Sequence, residues 1–347
     1  MDSRNGRRVA QAGAECTRRD LFRRSAFIGA GLAGAVVLPA AIEAANPVPA
    51  RAAAQRLTFY SVTHGFPGDV FWAEYRRGLN DAAKRYEVTV RDVAPTTNDL
   101  SQLPNLLNSA LAAKPNGIIA TIPDPKGEEA PLREAARQGI PVIAINVTDT
   151  RPAGQRVPYL FYVGGDEELG GRRQAEEILK VKTPKRAACA IHEPGHVGLE
   201  LRCKGFSEVL GARGVPVDKL DVGTDPTKIT EVLRGYFTTH KDAEALFTVG
   251  PIPTLPALKL LREMKLVGKV LLVSFDLTNE QIRAIEDGEL LSTVGQQQYL
   301  QGYVPVSWLY LHVNYLFTPA DDILTGPFIV SKSNASKVAA LVKQGIW

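Results

Sequence analysis

The sequence predicts an α/β protein built as two doubly wound parallel-sheet lobes, and three observations carry this. From residue 57 onward, short apolar runs rich in β-branched residues alternate with segments of helical spacing, the pattern of strand–helix–strand units. The runs are continuously apolar, so both of their faces are buried, as in parallel sheets covered by helices. About ten such strands are expected, too many for one compact sheet of average size, and 347 residues suit two domains.

The elements follow in order. Leu57–Thr63 reads as a strand that ends in the loop His64-Gly65-Phe66-Pro67-Gly68. Val70–Tyr86 has helical spacing, with Phe71, Tyr75, Leu79, Ala82 and Tyr86 on one stripe and Trp72 off it. A residue off the core stripe is free to stack on a ligand. Val88–Val93 is a strand, and Leu100–Ala113 is a helix stopped by Lys114-Pro115-Asn116-Gly117. Gly117–Ile122 is an apolar strand ending at Pro123-Asp124-Pro125, where Asp124 also suits a helix cap. A helix to Gln138 and the strand Pro141–Ile145 follow.

The second stretch repeats the scheme. Strands are expected at Tyr159–Val163, Ala187–Ile191, Leu220–Val222, Ala245–Val249, Val270–Phe275 and Leu291–Val294. Helices are expected at Leu169–Leu179, Val197–Leu210, Ile229–His240, Leu255–Met264, Gln281–Ile285 and Leu300–Phe317, before a short tail.

Charge narrows the function. Residues 1–52 hold eight Arg and four acids, which leaves 33 basic and 33 acidic residues in the rest. A formally neutral body lacks the cationic surplus that neutralises phosphates, so no nucleic-acid partner is expected. Thr17-Arg18-Arg19-Asp20-Leu21-Phe22-Arg23 resembles a twin-arginine export signal, and Ser25–Ile42 follows as a mild apolar run. Residues 1–52 are therefore expected to be a signal peptide, cleaved near Ala50-Arg51-Ala52 or Ala52-Ala53-Ala54. The product is expected to be soluble and periplasmic. An oxidising compartment permits a disulfide between Cys189, on a strand, and Cys203, on the next helix.

In doubly wound sheets, ligands bind beyond the carboxyl ends of the strands. Those ends carry His64 to Trp72, Asp124, Asn146, His192 to His196, Thr224-Asp225, Gly250, Asp276 and Gln296 to Gln298. Amides, carboxylates and imidazoles grip hydroxyl groups as donors and acceptors, and an aromatic face covers the C–H side of a sugar ring. No Gly-rich phosphate loop follows the first strand, and no G-x-S-x-G elbow is present. His192-Glu193-Pro194-Gly195-His196 is a literal H-E-x-x-H, but Pro194 and Gly195 break the helix that would aim both imidazoles at zinc. No metal or other cofactor is expected.

This ordered set resembles the periplasmic sugar-binding proteins of ABC importers, in the ribose/galactose-binding group of type I architecture. The marks are Gly68-Asp69-Val70-Phe71-Trp72, Ile118–Asp124, Pro141–Asn146, Val163-Gly164-Gly165-Asp166, Arg202–Phe206, Val273–Asp276 and Thr293–Gln296. The resemblance implies two lobes joined by a three-strand hinge, with crossings at Gly164-Gly165, Gln296-Gln297 and near Gly326-Pro327. Lobe one would be 55–165 plus 297–327, and lobe two 166–296 plus 328–347. It also implies that Phe71 and Trp72 stack on the ligand. His64, Asp69, Asp124, Asn146, His196, Glu200, Arg202, Asp225, Asp276, Gln296 and Gln298 are the candidate polar ligands. Asn146, Val147, Glu200, Thr224 and Gly250 depart from the ribose-binder pattern and argue against ribose held in the usual way. The implied function is capture of a small neutral sugar or polyol by a monomer that delivers it to a membrane permease. The alternatives are a sugar-like autoinducer, a chemoreceptor-linked role, and a zinc-dependent enzyme through His192, Glu193 and His196.

Overall fold

The structure, a computed structural model, describes residues 56–67 and 69–347. The expected signal peptide lies outside the described residues. Lobe one contains β1 (Thr58–Val62), α1 (Phe71–Arg85), β2 (Thr89–Val93), α2 (Leu103–Ala112), β3 (Gly117–Ala120), α3 (Glu129–Arg137), β4 (Val142–Asn146) and β5 (Tyr162–Gly165). Lobe two follows with α4 (Glu167–Val181), β6 (Arg186–Ile191), α5 (Val197–Gly211), β7 (Val217–Asp221), α6 (Pro226–Thr239), β8 (Ala243–Thr248), α7 (Pro251–Glu263), β9 (Leu271–Phe275), α8 (Asn279–Glu286) and β10 (Ser292–Gly295). The chain ends with α9 (Gln298–Tyr315), β11 (Ile323–Gly326), β12 (Phe328–Ser331) and α10 (Ala335–Lys343).

Two six-stranded sheets result, ordered β11-β5-β4-β3-β1-β2 and β12-β10-β9-β8-β6-β7. All pairings are parallel except β10 with β12. In each sheet the order reverses beside β1 or β6, which creates a crevice at the carboxyl ends of the strands. The chain passes between the sheets after β5, after β10 and between β11 and β12. These crossings lie together: Asp166 N–H donates to Gly326 O at 3.3 Å, and Gln297 Nε2 donates to Thr325 O at 2.9 Å. The Gly326–Pro327 peptide between β11 and β12 is cis.

Both sheets are covered on both faces, as their apolar runs require. In lobe one, Ile118 and Val142 pack with Leu103, Leu107 and Leu132, while the adjacent Ile119 and Ile143 pack with Tyr75, Leu79 and Leu309 on the other face. In lobe two, Leu246 and Leu272 face Leu233 and Leu260, and Phe247 and Val273 face Cys203 and Phe206. Two helix pairs approach through glycine. A Cβ on Gly78 of α1 would fall 2.0 Å from Tyr299 O of α9, and one on Gly171 of α4 would fall 2.0 Å from Arg202 O of α5. These contacts seat α1 and α5, which carry Trp72 and Arg202. Cys189 of β6 is bonded to Cys203 of α5, with their Cα atoms 5.8 Å apart.

The sequence reading needs four corrections here. Twelve strands form, because residues 323–331, read as tail, supply an edge strand to each sheet. A helix, α10, also forms in that tail. Gly164 and Gly165 continue β5 where a break was expected, since strand β4 on one side and β11 on the other hold their backbone. α7 starts at Pro251, with proline in its first turn, where the missing N–H costs nothing. Among the described residues no helix is long and apolar enough to cross a membrane.

Candidate functional site

The carboxyl ends of both sheets converge on one cavity of about 30 Å³. Lobe one lines it with His64, Asp69, Phe71, Trp72 and Asn146. Lobe two supplies His192, Glu193, His196, Leu199, Arg202, Gly250, Pro251, Ile252 and Asp276, and Gln296 stands at a crossing. Such a volume holds about two water molecules, so a ligand of sugar size requires the lobes to part.

Local sequence explains most placements. Asp69 opens α1: its Oδ1 accepts Phe71 N–H at 3.1 Å and its Oδ2 accepts the Trp72 indole N–H at 3.0 Å. The Trp72 ring lies over Gly65, where a Cβ would come within 2.6 Å of it, and meets His64 edge to face at 5.0 Å. Asn146 closes β4 and Asp276 follows β9, both in left-handed backbone, with φ of 60° and 64°. Asn and Asp enter that region most easily among non-glycine residues. Strain of this kind gathers at binding sites. Asp276 Oδ1 accepts Gln296 Nε2 at 2.7 Å, and its Oδ2 lies 4.0 Å from Arg202.

Arg202 is buried and paired. Its Nε donates to Glu167, one Nη donates to Val249 O at 2.6 Å, and its guanidinium lies 3.9 Å over the Phe275 ring. Burial opposes its charge, but Glu167 and Asp276 outweigh that and raise its pKa. Glu167 does not line the cavity, and nothing in its sequence context signalled it. It answers Arg202 from behind the wall.

The H-E-x-x-H segment forms no helix. Glu193 O accepts His196 N–H at 3.1 Å, with Gly195 at φ +87°, the Pro-Gly geometry of a type II turn. The turn sets Glu193 and His196 side by side, facing His64, so that the three offer ligand-type atoms within 4.8 Å of one another. His192, the first residue of the motif, is not in that cluster. His196 caps α5: its Nδ1 accepts Gly198 N–H at 3.1 Å and Leu199 N–H at 3.3 Å. A neutral imidazole that accepts at Nδ1 carries its proton on Nε2. His196 Nε2 lies 3.2 Å from His64 Nε2, so it donates there and has no lone pair for a metal. The geometry is that of a hydrogen-bonded pair. His64 then carries its proton on Nδ1, which is buried without a partner among the described residues.

The electrostatics follow from burial. Burial first, then Arg202, lowers His64 and His192 to about 3, and burial with the His64 neighbour holds His196 well below its usual value. All three imidazoles are neutral at pH 7. Burial and the nearby Asp69 push Glu193 up to about 8, and burial pushes Asp276 up to about 7 against the pull of Arg202.

Nine of the candidate side chains therefore meet in one cavity: His64, Asp69, Phe71, Trp72, Asn146, His196, Arg202, Asp276 and Gln296. Four do not line it. Asp124 is exposed on the turn before α3. Asp225 is exposed and caps α6 through Lys228 N–H at 2.8 Å. Glu200 points to Lys219, 3.1 Å away. Gln298 is buried in the first turn of α9, behind the wall. A helix cap claims Asp225 and a surface pair claims Glu200. Trp72 lines the cavity but is not free of the core as its off-stripe position predicts: it is 1% exposed and packs with Phe71 and Tyr75. The first turn of α1 lies beneath the cleft, so its off-stripe face is covered too. His192 and Glu193, strand-end residues outside the candidate ligand set, also line the cavity. Leu199 is one turn from Arg202.

The chain was compared with known proteins. A family model described as a periplasmic binding protein domain matches residues 59–315. The xylose/arabinose-binding protein XylF of Sulfolobus acidocaldarius is 28% identical over 277 residues, covering 76% of this chain and 68% of that protein. The solved structure of a carbohydrate transporter from Acidothermus cellulolyticus in complex with myo-inositol is 28% identical with a TM-score of 0.77, covering 84% of this chain and all of that one (100%). A periplasmic sugar-binding protein of an ABC sugar transporter from Legionella pneumophila is 30% identical with a TM-score of 0.73, covering 78% and 100%.

Proposed function

The chain belongs to the periplasmic binding protein family, and from that premise we propose that it captures a small neutral sugar or polyol outside the cytoplasm and delivers it to an ABC-type permease. The observation that carries this reading is the cavity at the carboxyl ends of both sheets, walled by Trp72, Asn146, Asp69, Asp276, Gln296 and the three imidazoles. Buried carboxylates make strong acceptors for ligand hydroxyls, and neutral imidazoles serve as donors or acceptors. The charge of Arg202 is already matched by Glu167, so an anionic ligand would face three carboxyl groups against one paired cation. By their descriptions, the Sulfolobus relative binds xylose or arabinose and the Acidothermus one was solved with myo-inositol, which favours a ligand of that size.

The protein's own chemistry is binding and closure, with no covalent step. Asp69 and Trp72 hold one face of the ligand from lobe one, and Asp276, Gln296 and His192 the other from lobe two. The three adjacent crossings form the hinge about which the lobes separate and close. Calorimetry and thermal shift with pentoses, hexoses and inositols test the reading, since a ligand that binds the folded state raises its apparent stability. Saturable binding of one such compound per chain is expected. Failure of every sugar and polyol to bind would overturn it.

A further inference from the structure

Glu193 is the one carboxyl of the cavity wall that nothing answers. It is 7% exposed and lines the cavity, yet among the described residues its side chain has neither a hydrogen bond nor an ion pair. The other charged groups of the wall are occupied. Asp69 takes the Phe71 amide and the Trp72 indole. Asp276 takes the Gln296 amide and lies 4.0 Å from Arg202. Arg202 is held by Glu167. The two imidazoles nearest Glu193, His64 and His196, spend their facing nitrogens on each other. An ionised carboxylate in a cavity with room for so little water is costly without a counter-charge. Among the described residues no protein group supplies one, and His196 presents an N–H, not a lone pair, to the cluster it forms with His64 and Glu193.

We propose that the cleft takes, beyond neutral sugars and polyols, their amino-substituted relatives, with the ligand's ammonium group seated on Glu193. The inference rests on the sugar-binding reading of the same cavity and adds the charge of one substituent. An ammonium brings the missing counter-charge and donates directly to Glu193, while the hydroxyls keep the partners described above. Closure strengthens the pair by removing water from around it.

The test is paired calorimetry at pH 6.5 on the purified, untagged protein: D-glucosamine against D-glucose, D-galactosamine against D-galactose, and an inosamine against myo-inositol. At least one amine is expected to bind tenfold or more tightly than its parent, and Glu193→Gln, checked for folding by circular dichroism, is expected to reduce that ratio to about one. Parents that bind as tightly as their amines, or a ratio that persists in folded Glu193→Gln, would overturn the inference and leave sugar binding standing. Binding of neither amines nor parents would overturn both.

Discussion

His196 of lobe two donates its Nε2–H to His64 Nε2 of lobe one across 3.2 Å, while its own Nδ1 caps helix α5. The helix end thus fixes one tautomer, and that tautomer fixes the other across the cleft. In the ligand-bound, closed protein, nitrogen-15 NMR of the imidazoles is expected to find the proton of His196 on Nε2 and that of His64 on Nδ1. A His64 protonated on Nε2 would place two N–H groups face to face and would contradict the contact. His196→Ala should also remove the cap, at a cost of about 1 kcal/mol.

Glu193 makes a prediction about pH. Its folded value, about 8, lies above the ordinary carboxyl value, so the folded state holds its proton more tightly than the unfolded chain does. Ionisation therefore opposes the closed fold, with a cost that begins above about pH 4.5 and is complete near pH 8. Glu193→Gln should raise the melting temperature at pH 8, by the equivalent of roughly 1–3 kcal/mol, and leave it unchanged at pH 4. Equal melting temperatures for the two proteins at pH 8 would count against the burial of this carboxyl.

Trp72 belongs to both the core of lobe one and the cavity wall. Trp72→Ala should cost about 3–5 kcal/mol in denaturant unfolding and abolish measurable binding. Trp72→Phe should keep most of the stability and weaken binding about tenfold, because Asp69 loses its indole partner. An alanine variant as stable as the parent would show that the ring is not buried.

The Cys189–Cys203 bond spans 14 positions. Replacing both residues with alanine should lower stability on the order of 3 kcal/mol by loop entropy, with ligand affinity changed less than threefold. Intact mass before and after reduction should differ by two hydrogens. Equal masses would refute the bond.

Much of this architecture was legible in the sequence, for specific reasons. Continuous apolar runs such as Ile118–Ile122 and Val270–Phe275 announce parallel strands, and the strand-end rule led to His64, Asn146, His192–His196 and Asp276. Residues 323–331 escaped because each edge strand is only four residues long and Pro327 divides them. Asp225 and Glu200 misled because a polar residue near a strand end serves a helix cap or a surface pair as readily as a ligand, and Asp124 misled because its turn leaves it exposed to solvent. Glu167 was invisible: its role depends on Arg202, 35 residues away and brought close only by the packing of α4 on α5. Trp72 is buried although it lies off the stripe because periodicity records which face meets its own sheet, whereas Trp72 is covered by the loop after β1, over Gly65 and against His64.

Binding in this protein requires the two lobes to close around the ligand. The described cavity, about 30 Å³, is too small to admit a sugar unless the lobes part. Small-angle scattering, recorded while the tightest sugar or polyol of the panel is titrated in, should show the radius of gyration falling and levelling off at one ligand per chain. A ligand that binds with no change in dimensions would contradict the two-lobe mechanism.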